Sequence, residues 1–370
     1  MKDILHKIDE DLIDVSRGMD FFSLITPVNK SEEKDIFFKN HAKKKRYNPY
    51  FEYRESDLAE TISRLDNMLP ELNRDDRLHN IFIKKIQFLK KQVKLIESGD
   101  DIFPDISREL YGGPLRPDTG AARAIMEKLR AVEYRFPEET VTPAEMRVTI
   151  KKCLDKKGID WTVALSDRIV PKVSVSGKDR TIYINSRLKY TEGEVIRLMT
   201  HEVEIHAVRG ANGEEQPFLI FRDGLAGYSE TEEGLAVMGE EAAGCLDIDT
   251  RQMWLYAARC VAVDIASRGD FYDVFAAMKR YFPDDLSYRL AERVKRGLRD
   301  TSSKGAFTKE LHYISGLRKI RNFIANEGNL SNLFVGKIGL DDIADIEILL
   351  KEGVLKPPGY LPVFIDKLKS

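Results

Sequence analysis

The chain has 370 residues, of which 42% are hydrophobic and 32% are charged, so it is long enough to bury a sizeable core. Its 59 Lys and Arg against 61 Asp and Glu leave a net charge of −2, which favours neither a nucleic acid nor an anionic membrane as a partner. Three widely spaced cysteines are typical of a reducing compartment, and no apolar run reaches the roughly 18 residues of a membrane helix, so we expect a cytoplasmic globular protein.

Helical periodicity dominates the first part of the chain. Apolar residues recur at helical spacing over residues 1–25, which predicts an amphipathic helix. Residues 56–99 alternate apolar and charged positions with the same period and predict two or three antiparallel helices. We therefore expect residues 1–110 to form an N-terminal helical region packed on the core.

The clearest strand signal lies in the middle of the chain. A helical pattern runs from residue 121 to Pro137, and the pair Thr142-Pro143 is typical of another helix start. Within residues 169–185, apolar residues alternate on both sides of a Ser-Gly-Lys-Asp turn, which predicts a β-hairpin. Beyond residue 190 the pattern is again helical, so the expected fold class is α+β, mainly α, with a small β-sheet.

Two of the six histidines lie five positions apart in one predicted helix. Thr191 and Glu194 form a capping-box pattern at its start, and Gly210 is expected to end it. Positions five apart on a straight α-helix point about 140° away from each other, against about 40° for positions four apart. His201 and His206 can therefore share a metal ion only if a π-type turn or a break lies between them.

A second acidic helix follows the histidine pair. Thr231 is predicted to cap it, which puts Glu232 and Glu233 in its first turn, where acidic residues also simply offset the helix dipole. The glycines and alanines that follow make this helix narrow enough for close packing. Two imidazoles and one carboxylate, with a fourth position open to water, form a catalytic zinc set, and Glu202 would then be the general base.

Several motifs along the chain resemble one protein family. These motifs are "NPYFEYR" (48–54), "ELYGGP" (109–114), "HEVEIH" (201–206), "RGANGEEQP" (209–217), "TEEGLA" (231–236), "GAFTKELHYISGL" (305–317) and "LFVGKIGLDDIADIEILLKEGVLKPPGYLP" (333–362). Together they resemble the microtubule-associated tyrosine carboxypeptidases, whose microbial members are called flavohaemoglobin expression-modulating QEGLA motif proteins. The similarity covers nearly the full chain.

This resemblance implies a zinc metallopeptidase that cleaves a C-terminal residue with a zinc-activated water. It implies a zincin-like catalytic domain over residues 111–330, followed by a C-terminal helical segment over residues 331–370. Family members often have Gly-Thr where this chain has Glu204 and Ile205. The helix distortion must therefore form here without the conformational freedom of glycine.

The resemblance also assigns roles to individual residues. Carried over position by position, it makes His201 and His206 metal ligands and Glu202 the catalytic base. The carboxylate before the glycine of "EGLA", Glu233, becomes the third ligand of Zn²⁺. Glu232 stays open as an alternative third ligand.

A carboxypeptidase needs a cation for the carboxylate of its substrate and a donor for the developing oxyanion. Lys309 and Tyr313 lie four apart on one helix face, and we expect Lys309 to bind the carboxylate and Tyr313 to stabilise the oxyanion. Arg296 is a further candidate cation. Asn212 and Gln216 either hydrogen-bond the substrate backbone or only cap the helix. The expected partner is a peptide or protein C-terminus, and the sequence does not indicate an oligomeric state.

Two other classes of protein stay open at this point. A carboxylate-bridged di-iron protein would draw on the glutamates near the two histidines, but the Glu-x-x-His spacing of such proteins is absent. A non-catalytic regulatory or interaction protein would hold zinc structurally. Structural zinc sites normally close all four positions, and no fourth ligand is evident in the sequence.

Overall fold

Helices make up most of the molecule. The computed structural model describes residues 2–130, 138–246 and 252–368. Its α-helices are α1 (Lys2–Met19), α2 (Phe21–Leu24), α3 (Lys30–Ala42), α4 (Ala59–Met68), α5 (Arg77–Glu97), α6 (Phe103–Tyr111), α7 (Arg116–Arg130), α8 (Pro143–Lys157), α9 (Glu192–Leu198), α10 (Val208–Glu214), α11 (Ile220–Asp223), α12 (Tyr228–Ala242), α13 (Gln252–Ala266), α14 (Phe271–Met278), α15 (Asp284–Lys295), α16 (His312–Ala325), α17 (Ile343–Lys351) and α18 (Val363–Leu368). A π-helical segment, Met199–Ala207, joins α9 to α10. Among the residues described, no helix has the length and apolar character needed to cross a bilayer.

The small sheet has three strands in the order β1-β3-β2, with β1 at Thr162–Ser166, β2 at Val173–Ser176 and β3 at Thr181–Asn185. The strands β2 and β3 pair antiparallel and confirm the predicted hairpin. The strand β1 pairs parallel with β3 and was not predicted, because it is short and only partly buried. The fold class, α+β and mainly α, is confirmed, whereas the zincin-like character of the core stays a prediction.

The helices predicted in the N-terminal part of the chain are confirmed, except that the first one is divided in two. Residues 1–25 form two helices, α1 and α2, because the chain turns at Asp20, whose φ is 34°. Residues 56–99 form α4 and α5, joined by a short 3₁₀ turn. The helix expected from residue 121 is part of α7, and its expected continuation to Pro137 lies outside the described residues.

Local capping sets the ends of α8, as the sequence predicts. Thr142 Oγ1 accepts a hydrogen bond from the backbone N–H of Glu145 at 3.3 Å, and the Glu145 carboxylate accepts one from the backbone N–H of Thr142 at 2.8 Å. Pro143 takes the first helical position, where its missing N–H costs nothing. Gly158 ends the helix with a φ of 72°.

One hydrophobic cluster runs through the N-terminal, middle and C-terminal parts of the described chain. Two polar anchors tie these parts together. The Asp9 carboxylate accepts hydrogen bonds from two backbone N–H groups at the N-terminus of α11, at 2.5 and 2.8 Å. Arg209, which is fully buried, donates to backbone carbonyls between Leu333 and Ile338. The division into regions 1–110, 111–330 and 331–370 stays a prediction.

One close helix contact in the core joins α12 to α16 through two glycines. A Cβ on Gly234 would lie 2.3 Å from the carbonyl carbon of Gly316, and a Cβ on Gly316 would lie 2.2 Å from the backbone oxygen of Glu230. The two backbones therefore touch, and neither can retreat without moving the carboxylates that α12 carries. This contact explains why a glycine stands at position 234, whereas Gly239 of the same helix packs against Thr200 and Phe364 instead.

We expect Gly234→Ala to lower the free energy of unfolding by about 3 kcal/mol, because the new methyl group meets backbone atoms that cannot shift locally. Gly120→Ala is the matched control, since Gly120 is an exposed glycine of α7 with no atom within 4 Å of its added Cβ. This control should stabilise the protein by about 0.5–1 kcal/mol. Urea unfolding of both variants measures the difference, and equal effects would contradict the backbone contact.

Candidate metal centre

The π-helical segment brings the two histidines of the sequence motif together. From Met199 to Ala207 the backbone follows the i→i+5 pattern, so residues five apart lie about one turn apart. The ring centroids of His201 and His206 are 4.8 Å apart. The predicted departure from α-helical geometry between the two residues is confirmed.

The end of this helix was predicted wrongly. The helix does not stop at Gly210, because α10 continues it to Glu214. Gly210 is needed for packing instead, since a Cβ there would lie 2.7 Å from the indole of Trp161. Helix capping and close packing both select glycine, and sequence alone does not distinguish them.

The helix α12, which carries the acidic pair, also begins earlier than predicted. Its first residue is Tyr228, and Thr231 is not its N-cap. Thr231 Oγ1 instead accepts a hydrogen bond from the backbone N–H of Leu340 at 2.8 Å. Glu232 and Glu233 therefore lie beyond the first turn, so compensation of the helix dipole does not explain their position.

Three of the residues that the structure describes form a group able to hold a metal ion, and no second such group is found among them. His201, His206 and Glu233 each offer one ligand atom, and these atoms lie within 4.8 Å of one another. Glu233 Oε2 is buried without a hydrogen bond from any described residue, and lies 3.6 Å from His201 Nε2. A buried carboxylate oxygen without a donor, next to two imidazoles, fits the nitrogen and oxygen ligands of Zn²⁺.

Carboxylates lie behind both imidazole rings. His201 Nδ1 is 2.9 Å from Glu240 Oε1, and His206 Nδ1 is 3.3 Å from Glu232 Oε2. A carboxylate at Nδ1 fixes the proton on that nitrogen and leaves Nε2 for a metal ion. Glu232, the alternative third ligand of the sequence analysis, thus contacts the far side of a histidine ring.

Nearby positive charges keep two carboxylates ionised, that of Glu233 in the group and that of Glu232 beside it. Burial raises the pKa of Glu232, but Lys337 and other nearby cations lower it to about 2. Burial likewise opposes ionisation of Glu233, but the adjacent His201 ring and further cations hold its pKa far below the usual range. Burial lowers the pKa of His201, yet the carboxylates of Glu233 and Glu240 outweigh it and raise this pKa to about 10.

The two other glutamates of the π-helical segment differ in their surroundings. Glu202 is half-buried, and its carboxylate forms no ion pair or hydrogen bond with residues in the described ranges. Glu204 pairs with Lys157 at 2.9 Å and accepts a hydrogen bond from the backbone N–H of Val363 at 3.0 Å. Glu204 therefore anchors the segment to α8 and α18, while the Glu202 carboxylate takes no part in this anchoring.

Lys309 lies beside Glu233, and Tyr313 lies in the helix that follows. The single helix predicted for Lys309 and Tyr313 is wrong, because Lys309 belongs to a 3₁₀ turn, Thr308–Leu311, and α16 begins only at His312. Lys309 Nζ is 3.8 Å from Glu233 Oε1. The Tyr313 ring stacks on Tyr256 with centroids 4.5 Å apart, and Arg259 lies 4.7 Å above the centroid of the Tyr313 ring. Burial raises the pKa of Tyr313, and the charge of Glu233 raises it further. The phenol therefore stays protonated at neutral pH and can donate a hydrogen bond.

Comparison with known proteins agrees with the family resemblance of the motifs. The model of the family described as microtubule-associated tyrosine carboxypeptidase matches residues 36–370. The chain belongs to this family. Microtubule-associated tyrosine carboxypeptidase 1 of Homo sapiens is 25% identical over 347 residues, which cover 90% of this chain and 62% of that protein. The protein of the same name from Mus musculus is 24% identical over the same shares.

This member of the tyrosine carboxypeptidase family therefore spans about 62% of the length of the curated relatives it matches. A solved structure from Colwellia psychrerythraea overlaps 80% of this chain and 66% of its own, with a TM-score of 0.46 and 13% identity. That overlap is too small to establish a shared fold.

Asn212 and Gln216 do bind a peptide backbone, but it is the protein's own. The Asn212 amide donates to the backbone oxygen of Tyr360 at 2.8 Å and accepts from its N–H at 2.9 Å. The Gln216 amide donates to the backbone oxygen of Lys356 at 3.0 Å and accepts from its N–H at 2.9 Å. Both side chains hold the C-terminal segment against α10, so their polar atoms are already engaged.

The arginines near the site are arranged differently from the expectation. Arg296 donates to a backbone carbonyl of its own helix, and its guanidinium lies 5.7 Å from the Phe307 ring centroid. Arg293 and Arg259, which the sequence analysis does not single out, instead approach the buried carboxylate of Glu310 at 2.5 and 3.7 Å. No spacing rule connects these three residues, because they come from α15, α13 and a 3₁₀ turn.

Sequence reasoning also missed the role of Glu240. This residue follows Glu233 by seven positions, which puts both on one face of α12, and that spacing could have identified it. The Glu240 carboxylate also accepts hydrogen bonds from Tyr256 and Arg197, each at 3.1 Å. Those two partners lie on α13 and α9, so no local pattern could have connected them.

The arrangement of these side chains is less suited to a carboxylate-bridged di-iron protein or to a structural zinc site. Glu230 bonds to Ser315 and Lys319, and Glu240 is engaged by His201, so neither carboxylate is placed to bridge a second metal. A structural zinc site would need a fourth ligand. In the described parts of the chain, the group contains three.

We expect Glu240→Gln to weaken Zn²⁺ binding roughly 10–100-fold, because it removes the charge that orients His201 through Nδ1. Glu241→Gln is the matched control, since Glu241 is the next residue of α12 and pairs with Arg321 at the surface. Competition with a fluorescent zinc chelator measures both affinities. An unchanged affinity in Glu240→Gln would contradict the supporting role of this carboxylate.

Proposed function

We propose that this protein is a zinc-dependent carboxypeptidase that removes the last residue of a peptide or protein chain. The observation that carries this proposal is the convergence of His201, His206 and Glu233, with a carboxylate behind each imidazole. The names of its relatives support a peptidase that acts on a C-terminus, because those relatives are called tyrosine carboxypeptidases.

The three ligand residues suit a divalent zinc ion. The Nε2 atoms of His201 and His206 and the carboxylate of Glu233 would hold it, and the Nδ1 contacts would keep both rings in the required tautomer. A zinc ion in such a set polarises a carbonyl group and lowers the pKa of a bound water to about 7. Proton transfer, stabilisation of the oxyanion and attraction of the substrate would be carried out by side chains of the protein.

Glu202 is the residue that we assign to proton transfer. It follows a ligand directly, is half-buried, and is not paired with any charged group in the residues that the structure covers. As a general base it would take a proton from the attacking water and pass it to the leaving amine. Glu204, the nearest alternative carboxylate, already pairs with Lys157.

Tyr313 and Lys309 complete the proposed machinery. The protonated phenol of Tyr313 would donate a hydrogen bond to the oxygen that gains negative charge on the attacked carbonyl. Its ring is held on one face by Tyr256, so the hydroxyl needs little reorganisation. Lys309, 3.8 Å from Glu233, would add positive charge that draws an anionic substrate toward the site, although part of its charge is already offset by Glu233.

The account predicts that Glu202→Gln keeps zinc and the melting temperature of the wild type but slows peptide hydrolysis roughly 100-fold or more. The substitution keeps the shape of the side chain and removes the base. Glu192→Gln, at an exposed position of α9, is the control and should hydrolyse peptides normally. Loss of zinc in Glu202→Gln would make Glu202 a ligand, and undiminished hydrolysis would move the base elsewhere.

Zinc uptake should also release protons. The pKa of His201 is raised to about 10 in the metal-free protein, so its imidazole is protonated at neutral pH, whereas a ligand must be neutral. We therefore expect at least about one proton to leave per zinc bound at pH 7.5, with a further fraction from a zinc-bound water of pKa about 7, and the apparent affinity to rise as the pH rises toward 10. Calorimetry in two buffers of different ionisation enthalpy measures this release. An affinity independent of pH between 7 and 9 would contradict it.

A further inference from the structure

Two arginines beside the candidate metal centre carry more positive charge than the one carboxylate between them neutralises. Arg259 and Arg293 share one carboxylate, that of Glu310, whose Oε2 lies 3.7 and 2.5 Å from their Nε atoms. Glu310 is buried, and its pKa falls to about 2 because the attraction of Arg293 and Arg259 outweighs the opposing effect of burial. One carboxylate between two guanidinium groups leaves a net positive charge.

The other donors of the two arginines are not used by this internal ion pair. Both arginines approach Glu310 through Nε, and their terminal Nη atoms have no hydrogen-bond partner among the described residues. The side chains are 17% exposed for Arg259 and 38% exposed for Arg293, so a ligand can reach them. A guanidinium presents its N–H groups as a planar fork that matches the two oxygens of a carboxylate.

The cluster adjoins the residues of the proposed reaction. The Arg259 guanidinium lies 4.7 Å from the centroid of the Tyr313 ring. Lys309, which precedes Glu310 in the same 3₁₀ turn, lies 3.8 Å from Glu233. One residue of extended chain spans about 3.5 Å, which is comparable with the 4.7 Å between the Arg259 guanidinium and the Tyr313 ring centroid.

We propose that Arg259 and Arg293 bind the free carboxylate of the substrate's last residue, and that Glu310 positions both guanidinium groups. This inference rests on the proposed function and assigns the anion site within it. The arginine pair offers a rigid fork with excess charge, whereas Lys309 offers a single charge already shared with Glu233. The pair therefore selects chains with a free C-terminus over amidated ends.

Binding to the full-length Glu202→Gln protein loaded with zinc tests this directly, because it does not depend on turnover. The probes are two mixtures of N-acetylated tripeptides with the same sequences, one with free C-terminal carboxylates and one with amides. Equilibrium dialysis read by mass spectrometry gives the ratio of their affinities. We expect the free acids to bind at least about 10-fold more tightly, the range that hydrogen bonds to a charged group supply.

Substitution then locates the carboxylate site. Arg259→Lys and Arg293→Lys, each in the Glu202→Gln background, keep the charge near Glu310 but lose the fork, and should reduce the preference for free acids about 10-fold. Arg321→Gln, at an exposed arginine of α16, should leave it unchanged. A preference that survives in both lysine variants would overturn the assignment, as would equal binding of acids and amides, or no binding of either, by the parent protein.

A measurement that leaves both arginines unchanged covers the case in which these variants fold poorly. Phenylglyoxal labels accessible arginines, and the modified positions can be mapped by mass spectrometry in the zinc-loaded Glu202→Gln protein. The free-acid mixture should protect Arg259 and Arg293, and the amide mixture should not. Identical labelling with both mixtures would overturn the inference. A wild-type protein that releases no terminal residue would contradict the proposed function alone, since binding and protection are measured separately.

Discussion

The site depends on one constraint of backbone geometry, which is that two imidazoles five residues apart can meet only where the helix widens. The π-helical segment between Met199 and Ala207 meets this requirement, and the rings of His201 and His206 lie 4.8 Å apart as a result. No glycine eases the distortion. Glu204 instead ties the segment to Lys157 and to the backbone at Val363, so tertiary contacts hold a backbone that local sequence does not favour.

The second feature of the site is the number of ionised side chains that are buried around the π-helical segment. Each histidine has a carboxylate at Nδ1, and those carboxylates are themselves held by Tyr256, Arg197 and Lys337. A buried charge without such partners would cost several kcal/mol, so the network explains why so many ionisable groups can be buried together. The close contact of α12 with α16 keeps Glu233 and Glu240 at the depth of the histidine rings.

Sequence and structure agree where one short pattern decides the outcome. The capping box at Thr142, the hairpin around residues 173–185 and the departure from α geometry after His201 all follow from local spacing. The predicted helix end at Gly210 and the predicted helix start at Thr231 were wrong, because glycine and threonine serve both in helix caps and in tertiary contacts. Strand β1 and the partners of Glu240 come from distant parts of the chain, and no local pattern contains that information.

We propose that a single zinc ion is held by His201, His206 and Glu233, with Glu232 outside the ligand set. Mass spectrometric metal analysis of protein purified without chelators tests it most directly, with Glu233→Ala compared with Glu232→Ala. The account predicts about one zinc per wild-type chain, loss of nearly all of it in Glu233→Ala, and retention in Glu232→Ala at saturating zinc, because a supporting carboxylate affects affinity only about 10–100-fold. Equal zinc contents in wild type and Glu233→Ala would contradict it.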